Sequence, residues 1–155
     1  MSKRYSQDLQ DVLSIIESCE YCHVGLTSGG KPYVIPMNFG YEVQGDSILF
    51  YLHSGKKGRK LDALLENPHV CVQLDCGVMP KKGDAPCSFS VHSQSVICEG
   101  RGELLAEQDK AAGLDHIMQH TTKKQPPFQY GEKQLAATAV VRITCTSYCA
   151  KWQNV

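Results

Sequence analysis

Tyr33-Val34-Ile35-Pro36-Met37-Asn38-Phe39-Gly40-Tyr41 carries a bulky side chain at every second position, at Tyr33, Ile35, Met37, Phe39 and Tyr41. A period of two is that of an extended strand with one face toward a core. Pro36 lies inside the run and has no N–H for a ladder, which predicts a sheet edge, a bulge, or a place where the ladder opens to something else. Asn38 reads as a mid-strand amide that needs partners if it is buried. Upstream, Cys22 to Leu26 reaches this strand through Thr27-Ser28-Gly29-Gly30-Lys31, whose glycine pair supplies the positive φ of a tight hairpin. Downstream, Gln44-Gly45-Asp46 turns the chain into Ser47 to His53. Three strands joined by turns too short for crossover helices predict an antiparallel meander and argue against a doubly wound parallel sheet.

Further along, Val70, Val72 and Leu74 alternate as a fourth strand, Phe89 to Arg101 forms a fifth, and Ala137 to Cys145 a sixth. Gly100 and Gly102 flank Arg101 and permit a bend or bulge there. Three short helices are expected. Ser6 caps the first, in which Leu9, Val12, Leu13 and Ile16 share a face as far as about Cys19. Leu61, Leu64 and Leu65 mark the second, which Asn67-Pro68 stops. The third begins near Glu107 and presents Ala111, Leu114, Ile117 and Met118, with Gly113 weakening it by about 1 kcal/mol relative to alanine. Gly77 to Pro86, with two prolines and two glycines, predicts a mobile loop, and Gln125-Pro126-Pro127 a linker. Residues 1–155 thus read as one mainly β domain, a six-stranded antiparallel barrel with peripheral helices.

Sixteen basic and sixteen acidic side chains cancel, so neither nucleic acid nor an anionic membrane is an expected partner and any phosphate site must be local. The first residues lack the apolar run of a signal peptide, and no stretch approaches the roughly 18 apolar residues of a membrane span. A cytoplasmic protein is expected. Its eight cysteines then read as reduced thiols.

The segment His53-Ser54-Gly55-Lys56-Lys57-Gly58-Arg59-Lys60 is the strongest local signal. Its glycine-rich backbone amides can point at an anion, and Arg59 and Lys60 put positive charge on the first turn of a helix, where it opposes the dipole unless an anion is bound. Cys19-Glu20-Tyr21-Cys22-His23 matches the short C-x-x-C-H pattern of covalent haem attachment, but no export signal accompanies it and it falls at a helix-strand junction. Inert buried thiols are the plainer reading, beside redox use or zinc shared with Cys145 and Cys149. His116 and His120, four apart on the third helix, read as facing water.

Taken in order, Tyr33 to Phe39, Leu49-Phe50-Tyr51-Leu52-His53-Ser54, Gly58-Arg59-Lys60-Leu61, Asn67-Pro68-His69-Val70-Cys71 and Ser95-Val96-Ile97-Cys98-Glu99-Gly100-Arg101 resemble the successive motifs of the pyridoxamine-phosphate-oxidase-like flavoproteins. They are most similar to the branch containing 5-nitroimidazole-resistance proteins, and the resemblance runs over residues 10 to 146. It implies a Greek-key split β-barrel, a homodimer with two FMN molecules at its interface, and a small-molecule substrate. Val34, Ile35, Pro36, Met37 and Asn38 would line the isoalloxazine ring, and His53, Ser54, Arg59 and Lys60 would hold the phosphate end. Ser95 would reach the flavin bound mainly by the other subunit, and Trp152 would either cover that flavin or close the barrel. His53, beside the ring, is the candidate proton donor and so the catalytic candidate. Without the resemblance, alternation alone would explain Val34, Ile35 and Met37 as barrel core. Oxidation of pyridoxamine phosphate itself fits less well, since only Arg142 and Lys151 offer charge near the C-terminus. A non-catalytic flavin- or haem-binding or sensing protein on the same barrel is the alternative.

Overall fold

The computed structural model describes residues 3–154. Among them are eight strands: β1 (Lys3–Ser6), β2 (Cys22–Ser28), β3 (Lys31–Met37), β4 (Gly40–Gln44), β5 (Ser47–Gly55), β6 (His69–Lys81), β7 (Ser90–Leu104) and β8 (Thr138–Gln153). They form one antiparallel sheet in the order β3-β2-β6-β7-β8-β5-β4, with β1 added to β8. The two ends of the path, β3 and β4, do not pair, so the barrel is split rather than closed. Pairing of β2 with β6 and of β5 with β8 skips the intervening strands, as in Greek-key barrels.

Six strands become eight for two reasons. The alternating run from Tyr33 to Tyr41 is not one strand: it breaks at Asn38 and Phe39, and its halves, β3 and β4, lie at opposite ends of the sheet. The expected three-strand meander is therefore two separate hairpins. Phe39 carries the chain across the core, fully buried with its ring 5.9 Å from that of Phe50. Gly40 then passes so close to the third helix that an added Cβ would stand 2.1 Å from the His116 carbonyl carbon. Periodicity survives the break because both halves keep their larger side chains inward. Asn38, placed at the break, is exposed instead of being a buried mid-strand amide. The second addition is β1, whose polar residues carry no apolar signal and which is held against β8, with the Arg4 guanidinium 4.5 Å above the Trp152 ring.

Two other segments are longer than expected. The presumed loop from Gly77 to Pro86 is largely a hairpin arm: after a register shift between Cys76 and Met79, residues Met79 to Lys81 pair with Ser90 to His92. Gly77, at φ 61, sits in that shift. The final strand does not end at Cys145 but runs to Gln153, and it pairs with β5, β7 and β1. A bulge at Glu99 and Gly100 bends β7 where its glycines predicted one; there a Cβ on Gly100 would lie 2.3 Å from the Thr144 carbonyl oxygen.

Four helices occur among the described residues, α1 (Leu9–Glu17), α2 (Arg59–Glu66), α3 (Lys110–Thr122) and the short α4 (Glu132–Ala137). The cap of α1 is Asp8, whose carboxylate accepts from the Gln10 and Asp11 amides; Ser6, the expected cap, instead accepts from the Asp8 amide. Val12, Ile15 and Ile16 of α1 close one core with Phe50, Val72, Leu74, Val96 and Ile143. On the other side of β5, Leu49 and Tyr51 pack under Ile117 of α3. Gly113 explains itself here, because a Cβ would come within 2.9 Å of Leu105 and Val140, so its helical cost is offset by closer packing of α3 on the sheet. No helix among the described residues is long and apolar enough to cross a membrane.

Candidate functional site

At the end of β5 the chain passes through Lys56, Lys57 and Gly58 into α2. Gly58 occupies the N-cap at φ 134, which only glycine adopts comfortably, and no side chain caps the helix. Nothing lies within 4 Å of where a Cβ would stand on Gly55 or Gly58, so the cradle is open. Lys56 pairs with Glu107 at 3.3 Å, while Lys57, Arg59 and Lys60 have no ion-pair partner among the described residues. Arg59 is nevertheless positioned: its Nε donates to Ser28 Oγ at 3.0 Å and its guanidinium lies 4.1 Å over the Tyr33 ring, which leaves both Nη groups available. An uncapped helix start with unpaired cations in its first turn has the electrostatics to accept an anion. The residues present therefore fit the phosphate of a flavin nucleotide.

His53 and Ser54 are neighbours on a strand and so face opposite ways. Ser54 follows the parity of core-facing Leu52, whereas His53 follows Leu49 and Tyr51 toward α3. Both reach a narrow gap of about 20 Å³ at the strand's end that Met37 and Lys60 also line. Met37, His53, Ser54 and Lys60 thus border one gap whose remaining walls are mostly buried aliphatic side chains such as Leu52, Leu64 and Ile143, while Arg59 rests on Ser28 and Tyr33 of the β2–β3 hairpin. Along β3, Tyr33, Ile35 and Met37 turn to the core while Val34 and Pro36 turn out, Val34 being 64% exposed. Because β3 pairs only with β2, half of its backbone N–H and C=O groups point away from the sheet, as Pro36 foretold.

Val34 also lines an open cleft of about 570 Å³ on the outer face of the sheet, with Gly25, His69, Cys71 and Arg101. Arg101 Nη1 lies 3.2 Å from His69 Nε2 across β6 and β7. Sequence reasoning missed these residues. Gly25, interrupting a strand, was the one available sign of close approach by another group. Ser95 lies on the same outer face, opposite Asp75 and Lys151, two positions from half-exposed Ile97, but it does not line the cleft. Trp152 sits apart from both, 9% exposed in the core beneath Arg4, where it helps close the barrel.

The remaining candidates resolve differently. Cys19 and Cys22 are buried, their thiols pushed up to about 12 chiefly by desolvation, and they donate to the Ile15 and Met37 carbonyls. His23 is bound through Nδ1 to the Gln73 amide oxygen at 2.8 Å. Among the described residues no three His, Cys, Asp or Glu side chains converge as metal ligands. His120 does not face water as expected: it is 8% exposed, its Nε2 lies 2.8 Å from the Cys19 carbonyl, and its ring packs 4.4 Å from that of Phe39. Burial lowers its pKa, the Cys19 carbonyl and Glu17 opposing that and Lys123 adding to it. His116 stacks on Tyr51 at 4.6 Å. The buried stripe of α3 is Lys110, Gly113, Ile117 and His120, a helical spacing that its polar members concealed.

A family profile described as pyridoxamine 5'-phosphate oxidase matches residues 8–152. No curated protein matches the chain. Among solved structures, it is similar to a candidate 5-nitroimidazole antibiotic resistance protein from Bacteroides thetaiotaomicron VPI-5482, with 35% identity over 97% of this chain and 87% of that one and a TM-score of 0.81. It is also similar to the flavocytochrome Anf3 from Azotobacter vinelandii, at 25% identity over 97% of this chain and 70% of that one, TM-score 0.79. The FAD and heme binding protein from Mycobacterium smegmatis shares the fold, at 20% identity over 100% of this chain and 75% of that one, TM-score 0.76. With the profile spanning the barrel from the cap of α1 to the end of β8, the chain belongs to the pyridoxamine 5'-phosphate oxidase family.

Proposed function

We propose that this protein binds FMN as a homodimer and is an oxidoreductase that passes two electrons from a reduced nicotinamide to a small acceptor, nitroaromatic compounds included. The observation that carries the reading is the open, uncapped start of α2, with Arg59 and Lys60 unpaired, at the end of the edge strand β3. Similarity to a flavocytochrome, an FAD and heme binding protein and a candidate nitroimidazole-resistance protein supports a flavin and this class of acceptor.

Arg59, held by Ser28 and Tyr33, and Lys60 bind the phosphate as fixed and mobile cations respectively. Ser54 supplies a hydroxyl at the same end. The outward backbone of β3 from Val34 to Asn38 offers the polar edge of the ring its hydrogen bonds. FMN, when bound, supplies the electron-transfer chemistry. His53 lies at the rim and delivers a proton to the acceptor as it is reduced. For a nitro compound the overall balance is R–NO2 + NAD(P)H + H+ giving R–NO + NAD(P)+ + H2O. The exposed outer face, with Val34 and Ile97, is the surface for a second copy, whose Ser95 approaches the flavin across it. Pyridoxamine phosphate is a poorer substrate, because Arg142, one of the two cations near the C-terminus, is already bound by Glu103 at 2.6 Å.

An absorbance spectrum after incubation with FMN and gel filtration tests the reading. Bands near 450 nm travelling with a dimer are expected; a colourless protein refutes it. A Soret band on haem titration, with no NAD(P)H oxidation in the presence of a nitroimidazole, would instead favour a binding role like that named for two of the structural relatives.

A further inference from the structure

The last turns of α1 and α3 meet through Glu17, His120 and Lys123, and these three side chains line two polar cavities of about 400 and 560 Å³. His120, buried on the last turn of α3, donates from Nε2 to the Cys19 carbonyl at 2.8 Å. A carbonyl only accepts, so the ring proton sits on Nε2 and Nδ1 carries a lone pair. That lone pair stands 3.8 Å from Glu17 Oε2, and no donor among the described residues is bonded to it. Two acceptors thus face each other across a gap that one nitrogen bearing hydrogens can bridge. We infer that the gap is a binding site for the primary ammonium group of a small polar amine, held between His120 Nδ1 and Glu17 Oε2.

Charge favours a cation there. Glu17 is fixed before any ligand arrives: Oε1 accepts from Lys123 Nζ at 2.9 Å and Oε2 from the Tyr41 hydroxyl at 2.8 Å. These bonds, that from Lys123 foremost, hold its carboxyl below the usual carboxylate range, so it is charged at neutral pH. Burial lowers the His120 pKa, so the ring presents an acceptor and not a competing charge. Both helices bring their C-termini, the negative ends of their dipoles, to this place; α1 has no basic residue in its last turn and α3 has only His120. Lys123 answers Glu17 at Oε1 alone. Glu20, which lines the wider cavity, has no ion-pair partner among the described residues.

The walls narrow the ligand class. Tyr41, His116, Gln119 and Gln125 complete the smaller cavity, with no aliphatic side chain among them. Gln119 Nε2 donates to Gln125 Oε1 at 3.4 Å, which leaves the Gln119 oxygen and the Gln125 amide hydrogens for a hydroxyl on the ligand's tail and offers a hydrocarbon tail nothing. A metal ion lacks its ligand set, since no three His, Cys, Asp or Glu side chains converge among the described residues. A quaternary ammonium brings the charge but no N–H for the Nδ1 lone pair, so the site should select amines that keep their hydrogens. Glu17, His120 and Lys123 take no part in the cradle at the start of α2, and the inference is independent of the flavin reading.

Ethanolamine and choline, which share a hydroxyethyl tail and differ in whether the nitrogen carries hydrogens, make the test. Calorimetric titration of the full chain gives the affinities, and the imidazole nitrogen resonances of His120 report contact at Nδ1. Ethanolamine should bind and choline should bind about tenfold more weakly or worse, the loss of one charge-assisted hydrogen bond. The His120 Nδ1 resonance should move upfield with ethanolamine as its lone pair accepts a bond, and stay in place with choline. Glu17→Gln, at an exposed position, removes the charge and should weaken ethanolamine by about tenfold or more. Lys123→Gln removes the neighbouring cation and should tighten ethanolamine by about two- to fivefold, an opposite sign that keeps the question answerable if Glu17→Gln fails to fold. Equal affinity for ethanolamine and choline, no ethanolamine binding at millimolar concentration, or binding that neither substitution changes, each overturns the inference.

Discussion

Replacing Arg59 with alanine should separate recognition of the phosphate from recognition of the ring. Arg59 is held in place before any ligand arrives: Ser28 Oγ takes its Nε at 3.0 Å and the Tyr33 ring lies 4.1 Å below its guanidinium, so its Nη groups cost little further ordering on binding. A hydrogen bond to a charged group contributes about 1.5–3 kcal/mol, which is roughly a 10- to 150-fold loss of FMN affinity. Riboflavin, which lacks the phosphate, should bind Arg59→Ala as it binds the wild type. Tyr33→Leu removes only the support beneath the guanidinium, about 0.5–1 kcal/mol at an exposed site, so FMN affinity should fall about two- to fivefold. In the Arg59→Ala background the same Tyr33 change should have almost no effect, because its action runs through the arginine. Fluorescence titrations of the four proteins with both ligands make the measurement. Equal weakening of FMN and riboflavin by Arg59→Ala, or full additivity of the two substitutions, would refute the assignment.

Other consequences concern stability and reactivity. Gly40→Ala forces a Cβ to within 2.1 Å of helix backbone at His116 and should destabilise the fold by about 3 kcal/mol, the upper end for overpacking, whereas Gly25→Ala meets only ordinary contact with Cys71 at 3.5 Å; urea midpoints compare them. Because burial depresses the His120 pKa below its ordinary 6.5, folding favours the neutral ring. The stability this brings is complete above pH 6.5 and is lost as the pH falls through and below it, so His120→Gln should flatten the change in urea midpoint between pH of about 7.5 and 5.5. A midpoint in the variant that still tracks pH as in the wild type would place the titration elsewhere. Cys87 is the exposed thiol, while Cys19, Cys22, Cys98 and Cys145 are buried. A colorimetric thiol reagent should therefore give one fast phase that Cys87→Ser removes, and the four buried thiols should react only on unfolding.

The open, positively charged start of α2 was legible because Gly58, Arg59 and Lys60 are contiguous, and a local motif states its charge without knowledge of the fold. The edge position of β3 was legible from Pro36 for the same reason. The break at Asn38 and Phe39 was not, since Phe39 continues the parity of Tyr33, Ile35 and Met37 while the chain crosses from one end of the sheet to the other. Nothing in a period of two distinguishes a strand that continues from one that restarts elsewhere with the same face inward. The outer cleft was hidden because Gly25, Cys71 and Arg101 meet only through the pairing of β2 with β6 and of β6 with β7. His120 was misread because a polar residue on a helix gives no sign that a neighbouring carbonyl, here that of Cys19, waits to accept from it.

The strand on which the sheet depends is made after every strand it joins. β8, sixteen residues long, is the partner of β5, β7 and β1, so the stretch from residue 138 onward completes both halves of the barrel at once. While the ribosome is still synthesising it, β5 and β7 each present a bare edge, and such edges invite pairing with other chains. Closure of this sheet accordingly waits until β8 has been made and is a slow, long-range step. A nascent chain stalled near residue 137 should be held by chaperones or aggregate, and expression yield should respond more to translation rate and temperature than to any substitution on the surface.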